Sequence, residues 1–580
     1  MAVKYLAVLL VLALLLTGCE ATMREPIANQ TDPAGSVNET VIGTVIDTGD
    51  MFSKRDYETD YIASKCEKIV LNGSTVEIKK EGTYILSGSL EDGQVIVNVD
   101  KNQKVQLILD GVTIHSNSSA AIFVRQADKV FITTAKGTEN ALSSSAFAES
   151  EYNIDAVIFA KDDLTLNGEG SLTIVSPEGN GIVCKNDLVV TGGHYTVTAA
   201  GHGFDGKDSV RVAGGTFSVT AGKDGIRAEN SDDETRGFGY FAGGNFVITA
   251  EGDGISVSNS LLLANGEFTI TAGGGSKNGT KASSGNYGGF PGGGFGGGRP
   301  GGGRPGSNTD TVTDDNSTSM KGIKAGDLTI QGGFFTIDSA DDAIHSNLNI
   351  AVSGGSFSIA TGDDGFHAEE DLTVTSGKIR ITESYEGLEG HHILVSDGEI
   401  DLIARDDGLN AAGGVDSSGM GGRDQMFGGP GGPGGMGRGD GSITIAGGAI
   451  YIQASGDGLD ANGTLEITGG HTTICGPSQG DTSTLDYDVS GIITGGTFIG
   501  TGGSMMAHSF SDSTQGVFAV KVGNCVANTP ITLSDANGKT ILSCTPKLDF
   551  TVVILSCPEL VKGETYTITV GSQSGTFQAN

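Results

Sequence analysis

An acidic residue followed by glycine, an apolar residue, a polar residue and a small one recurs along this chain. The phrase reads Asp224-Gly225-Ile226-Arg227-Ala228, Asp364-Gly365-Phe366-His367-Ala368, Asp407-Gly408-Leu409-Asn410-Ala411 and Asp457-Gly458-Leu459-Asp460-Ala461. Gly181, Gly203 and Gly225 are 22 residues apart, and Gly322, Ala343, Gly365, Gly387 and Gly408 follow at intervals of 21, 22, 22 and 21. If each period is one turn of a stack, equivalent residues lie one strand spacing apart, about 4.8 Å. Asp342, Asp364, Glu386 and Asp407 then form one column, Asp341, Asp363 and Asp406 a second beside it, and Asp224 and Asp253 a separate pair. Two unit charges about 5 Å apart repel by roughly 3 kcal/mol at an effective dielectric near 20. Such a column needs protonation, splay or a cation. Calcium takes six to eight oxygen ligands at about 2.4 Å and fits between two carboxylates at this spacing. Calcium is therefore the expected cofactor, with these nine acids as candidate ligands. The competing reading is that Asp-Gly only makes the turn, its Asp capping its own backbone.

The polar residue after each apolar one forms a further column: Asp205, Arg227, Ser256, Lys324, His345, His367, Glu389, Asn410 and Asp460. Facing outward, planar polar groups of this kind suit a hydroxyl-rich ligand. Asp205, Arg227, Lys324, His345, His367, Glu389, Asn410 and Asp460 are accordingly the candidate carbohydrate-binding residues, although any such stack must also turn polar residues to solvent.

These columns need strands to place them. Each period holds two further alternating segments, such as Leu372-Thr373-Val374 and Ile379-Arg380-Ile381 with Ser376-Gly377 between. Three short strands per 22 residues predict an all-β parallel β-helix with a continuous Ile, Val, Phe and Ala core. A β-propeller blade would need about 40 residues. Residues 273–310, with 17 Gly in 38, and 413–441, with 14 in 29, break the period and read as Gly-rich loop insertions. A smaller insertion runs from Asn230 to Arg236. Residues 511–580 alternate differently and read as a small C-terminal antiparallel β module or cap.

Composition narrows the function classes. Of 580 residues, 95 are Gly but only 12 Pro, against a collagen triplet, and 37% are hydrophobic, against wholesale disorder. The 70 acidic and 35 basic residues give a net charge of −35, which excludes a general nucleic-acid binder. Trp is absent, so no indole platform exists for stacking on crystalline sugar. Lys4 and the apolar stretch Leu6 to Leu16, ending in Leu16-Thr17-Gly18-Cys19, resemble a bacterial lipobox. Residues 1–19 are then a lipoprotein signal peptide, Cys19 the lipidated residue, and 20–60 a tether. The expected location is extracytoplasmic, lipid-anchored at the cell surface. Six further cysteines, Cys66, Cys184, Cys475, Cys525, Cys544 and Cys557, permit fifteen disulfide pairings and show no metal-ligand spacing.

Glu81-Gly82-Thr83-Tyr84-Ile85-Leu86-Ser87-Gly88, Val105-Gln106-Leu107-Ile108-Leu109-Asp110-Gly111-Val112-Thr113-Ile114, Asp163-Leu164-Thr165-Leu166-Asn167-Gly168 and the later Asp-Gly periods together resemble the bacterial carbohydrate-binding β-helix family of secreted and lipid-anchored proteins. The likeness spans residues 61–510. It implies a right-handed parallel β-helix similar to pectate-type polysaccharide lyases, calcium along the coils, and binding of plant cell-wall polymers including acidic sugars. Asn180, His202 and Lys321 stand where other periods carry the acid, and so depart from that pattern.

Three functions compete. The first is a monomeric, non-catalytic, cell-surface lipoprotein that binds polysaccharide, favouring uronates with calcium's help. The second is a calcium-dependent lyase drawing its base from Lys207, Lys223, Lys321 or Lys324; no motif assigns a catalytic residue, so enzyme activity stays open, leaning against. The third is an adhesin or structural stalk.

Overall fold

The structure, a computed structural model, describes residues 48–230, 232–233, 235–281, 319–411, 440–477 and 482–580. They belong to one compact unit, Ile42–Asn580. Cys19, the tether before residue 48 and most of both Gly-rich stretches lie outside the described residues.

The described chain is all-β, with three short 3-10 turns and no α-helix. Three strands make each repeat, and each strand pairs in parallel with its own copy in the next. Phe204–Gly206 pairs with Ile226–Ala228 and that with Ile255–Val257; Ser209–Val212 pairs with Phe238–Phe241; Thr216–Ala221 pairs with Asn245–Ala250. The result is one large, mostly parallel sheet system.

Side-chain alternation sets the register. Thr216–Ala221 reads exposed, buried, exposed, buried, exposed, buried, and a slip of one residue would turn its apolar set outward. Tyr195, Phe217, Phe246, Phe268, Phe335 and Phe357 share one inward position and stack, with successive ring centroids 5.5, 4.5, 4.7, 5.0 and 4.7 Å apart. The Phe268–Phe335 step crosses the first Gly-rich stretch without a shift of register. Two glycine roles recur. At the corner, a Cβ on Gly365 would lie 2.6 Å from the Gly387 carbonyl oxygen of the next repeat. Ahead of the third strand Gly215 has φ +124°, a conformation that side chains avoid.

One flank of the early repeats and the far end of the stack are covered. In the early repeats the outward column of the first strand is apolar, Ile96, Phe123, Phe159 and Val183 in register, and Phe147, Tyr152 and Ile154 pack over it. At the far end Thr497–Gly502 pairs antiparallel with Phe550–Ser556, which also pairs with Val517–Cys525. A separate four-stranded antiparallel sheet of Ile531–Ser534, Thr540–Cys544, Thr565–Val570 and Gln573–Gln578 completes that region. The expected antiparallel module thus covers the last repeat's edge. All six cysteines are free, and Cys184 is buried.

Candidate functional site

The acid column forms as its spacing predicts. The backbone N–H after each corner residue donates to the carbonyl of the next repeat's corner residue: Gly203 to Asp224 at 3.0 Å, Ala343 to Asp364 at 2.9 Å, Gly365 to Glu386 at 3.0 Å, Gly387 to Asp407 at 3.0 Å and Gly408 to Asp457 at 2.8 Å. Side chains add a second rail. Asp224 Oδ1 accepts the Asp253 N–H at 2.9 Å, Asp253 Oδ1 that of Lys321 at 2.8 Å, Asp342 Oδ1 that of Asp364 at 3.2 Å and Asp364 Oδ1 that of Glu386 at 2.9 Å. Asp407 and Asp457 do the same for Asp457 and Ser483. The corner aspartates named therefore cap the neighbouring repeat, not their own backbones, whereas Glu386 accepts from Asn410 Nδ2.

This explains two residues that break the acidic pattern. Asn180 Oδ1 accepts the His202 N–H at 2.7 Å, and His202 Nδ1 accepts the Asp224 N–H at 3.2 Å. The position requires an acceptor, which amide and imidazole also supply. Lys321 has none, and there the rail is broken: the Asp342 N–H turns to its neighbour Asp341 at 3.0 Å.

The remaining oxygens meet protein cations over part of the column. Lys321 Nζ, itself buried, lies 2.6 Å from Asp342 Oδ2 and 3.1 Å from Asp341 Oδ1. Lys281 Nζ lies 2.8 Å from Asp363 Oδ1. Ammonium groups thus occupy places where the spacing suggested calcium between Asp341, Asp342 and Asp363. Burial raises the Asp342 carboxyl, but Lys321 with the two histidines outweighs it and holds the group well below the usual range. At Asp363 burial wins, joined by Asp364 and Asp342, and pushes the carboxyl up to about 10.

The polar column holds its predicted register without interruption: Asp205, Arg227, Ser256, Lys324, His345, His367, Glu389, Asn410 and Asp460 are successive partners. Its expected outward exposure does not hold. His345, His367 and Asn410 are buried, at 4%, 1% and 5% exposure, and Asp205, Arg227, Lys324, Glu389 and Asp460 only half-exposed. The column turns along the corner and pairs with the acids beside it. His345 Nδ1 is 2.9 Å from Asp342 Oδ2, His367 Nδ1 is 2.8 Å from Glu389 Oε2, and Asn410 Nδ2 donates to Glu386 Oε2 at 2.8 Å. Arg227 contacts His202 Nε2 at 2.8 Å and stands 4.0 Å from Asp205. Of the lysines considered as a base, Lys207 and Lys223 are exposed and Lys321 is bound to Asp341 and Asp342.

Further along, the compensation ends. Asp407, Asp457 and Asp460 bring one oxygen each within 4.8 Å of one another. No basic side chain among the described residues forms an ion pair with any of the three. Burial, reinforced by neighbouring acids, raises Asp407 well above the usual range, Asp457 to about 7 and Asp460 to about 6. Asp457 and the adjoining Asp486 were not among the predicted ligands. Asp457 carries the same Asp-Gly phrase, but the 28 residues that 412–439 insert ahead of it hide it from a count of consecutive periods. Lys281 could not be found from spacing at all, because a Gly-rich stretch delivers it to Asp363.

The family described as carbohydrate-binding domain-containing protein matches residues 72–365 and 364–530, together well over half of the chain. The chain belongs to the carbohydrate-binding domain family. A relative from Acetivibrio thermocellus with the same description is 38% identical over 159 residues, 27% of this chain, which spans 56% of that relative's length. A solved structure of a polysaccharide lyase-like protein from C. thermocellum, a gadolinium derivative, shares 36% identity over 36% of this chain and 91% of its own, with a TM-score of 0.35. Within this carbohydrate-binding family member, both acidic columns fall inside the matched residues.

Proposed function

We propose that the protein is a non-catalytic polysaccharide-binding lipoprotein, anchored through Cys19 at the cell surface and built as a right-handed parallel β-helix. Family membership supports the carbohydrate partner. The in-register three-strand repeat supports the helix. The observation that carries the acidic preference is the Asp407, Asp457 and Asp460 cluster: three oxygens converge and, among the described residues, no basic side chain pairs with them, a donor set suited to calcium. These residues, with Asp406 beside them, would hold the ion, and its charge would supply an attractive point for a sugar carboxylate. A chain of net charge −35 otherwise repels a polyuronate at long range.

Pull-down on polygalacturonate and on cellulose, each with calcium and with chelator, tests this. Retention on polygalacturonate should require calcium and fall in an Asp407→Asn, Asp460→Asn double variant. Equal retention on both polymers in chelator would remove the bridging role. Steady growth of ultraviolet absorbance from an unsaturated product would replace the binder by a lyase, in which calcium acidifies the proton next to the uronate carboxylate.

A further inference from the structure

Between the lysine-compensated acids and the calcium cluster lies a different set of donors. Asp364, His367 and Glu389 each bring one donor atom within 4.8 Å of the others, with His367 Nδ1 3.5 Å from Asp364 Oδ2 and 2.8 Å from Glu389 Oε2. Asp364 is 0% and His367 1% exposed. Neither Asp364 Oδ2 nor His367 Nδ1 forms a hydrogen bond. At 2.8 Å the Glu389 oxygen is near enough to His367 for one, so the pair is misaligned, as two donors aimed at a shared point are. Lys281 Nζ, 3.9 Å from Asp364 Oδ2, is beyond hydrogen-bonding distance and belongs to Asp363. Buried polar atoms without partners are costly, and two of them, Asp364 Oδ2 and His367 Nδ1, converging beside the Glu389 carboxylate imply a missing partner.

We propose that Asp364, His367 and Glu389 form a site for a borderline divalent ion of the zinc type, distinct from calcium. The reason is donor chemistry: imidazole nitrogen with two carboxylates suits zinc and its neighbours, whereas calcium takes oxygen. Spacing agrees, since ligands about 2.0 Å from a tetrahedral ion lie about 3.3 Å apart. The adjoining group of Asp342, His345 and His367 is a poorer host, because Lys321 already sits on Asp342 Oδ2 at 2.6 Å. An ion at the proposed site ties the repeat of Asp364 and His367 to that of Glu389, its partner in the next strand.

The full chain, stripped with chelator, should bind one equivalent of Zn2+ in equilibrium dialysis against millimolar calcium, and Co2+ should give the visible absorption of a low-coordinate, nitrogen-ligated ion. His367→Gln should weaken Zn2+ binding by at least about 10- to 100-fold, the range seen even for outer partners of metal ligands. Glu389→Gln serves as the second variant should His367→Gln fail the circular-dichroism check for folding. Asp407→Asn with Asp460→Asn should leave Zn2+ binding unchanged while losing the calcium response, which separates this site from the calcium reading. No stoichiometric Zn2+ in the wild type, displacement by calcium at comparable concentration, or binding unchanged in both His367→Gln and Glu389→Gln would each overturn the proposal.

Discussion

Asp253 shows what a single corner residue does. It is 3% exposed, its Oδ1 accepts from Lys321 N–H at 2.8 Å and Ser319 Oγ at 2.7 Å, and it faces Asp224 and Lys324. Burial and Asp224 push its carboxyl up to about 6, whereas an unfolded Asp titrates near 4, at about 3.9. The folded state therefore holds this proton more tightly. The stabilisation is fully present below pH about 4 and is lost as pH rises through about 6, a loss of about 2 to 3 kcal/mol. Asp253→Asn keeps the acceptor and discards the titration. In chelator, denaturant unfolding should show the variant as stable as the wild type at pH 4.5 and more stable at pH 8. A wild type that is the more stable form at pH 8 would contradict this. Asp253→Ala removes the acceptor as well and, compared with Asp253→Asn, should cost about 1 to 3 kcal/mol at either pH, the price of an unsatisfied buried N–H.

At the scale of the element, the third strand of each repeat depends on its aromatic column. Phe246 is 1% exposed, with Phe217 at 4.5 Å on one side and Phe268 at 4.7 Å on the other. Phe246→Ala should cost about 3 to 5 kcal/mol, because the rigid stack cannot close on the space left. Repeats contact chiefly their neighbours, so the damage should be local. Hydrogen exchange should rise in Thr216–Ala221 and Glu267–Ala272 while the strands near Thr464–Ile467 keep their protection. Uniform loss of protection would show one cooperative unit instead.

For the whole molecule, two terms complete the stack: the cover on its last strand and neutralisation of the acids. Removing residues 515–580 bares the edge of Thr497–Gly502 that Phe550–Ser556 now pairs. Open strand edges template association, so the truncated protein should run as aggregate in size-exclusion chromatography; a stable monomer would show the module dispensable. Calcium, binding folded chain in preference to unfolded, should raise the melting temperature. Asp407→Asn with Asp460→Asn should abolish most of that rise, and an intact response would move the ions to other carboxylates.

The 22-residue period and strand alternation made the repeat, its register and the identity of both polar columns legible, because parallel pairing carries any strict period directly into contact. Asp205 through Asp460 partner in the order the spacing implies. Period alone could not say what faces a column. Whether His345 and His367 meet solvent or Asp342 and Glu389 depends on how far the corner folds over them, and Lys281 reaches Asp363 across 82 residues of chain. Charge spacing in a sequence measures repulsion along the stack; only the tertiary structure decides where lysine and histidine relieve it and where, at Asp407, Asp457 and Asp460, no basic side chain among the described residues does so.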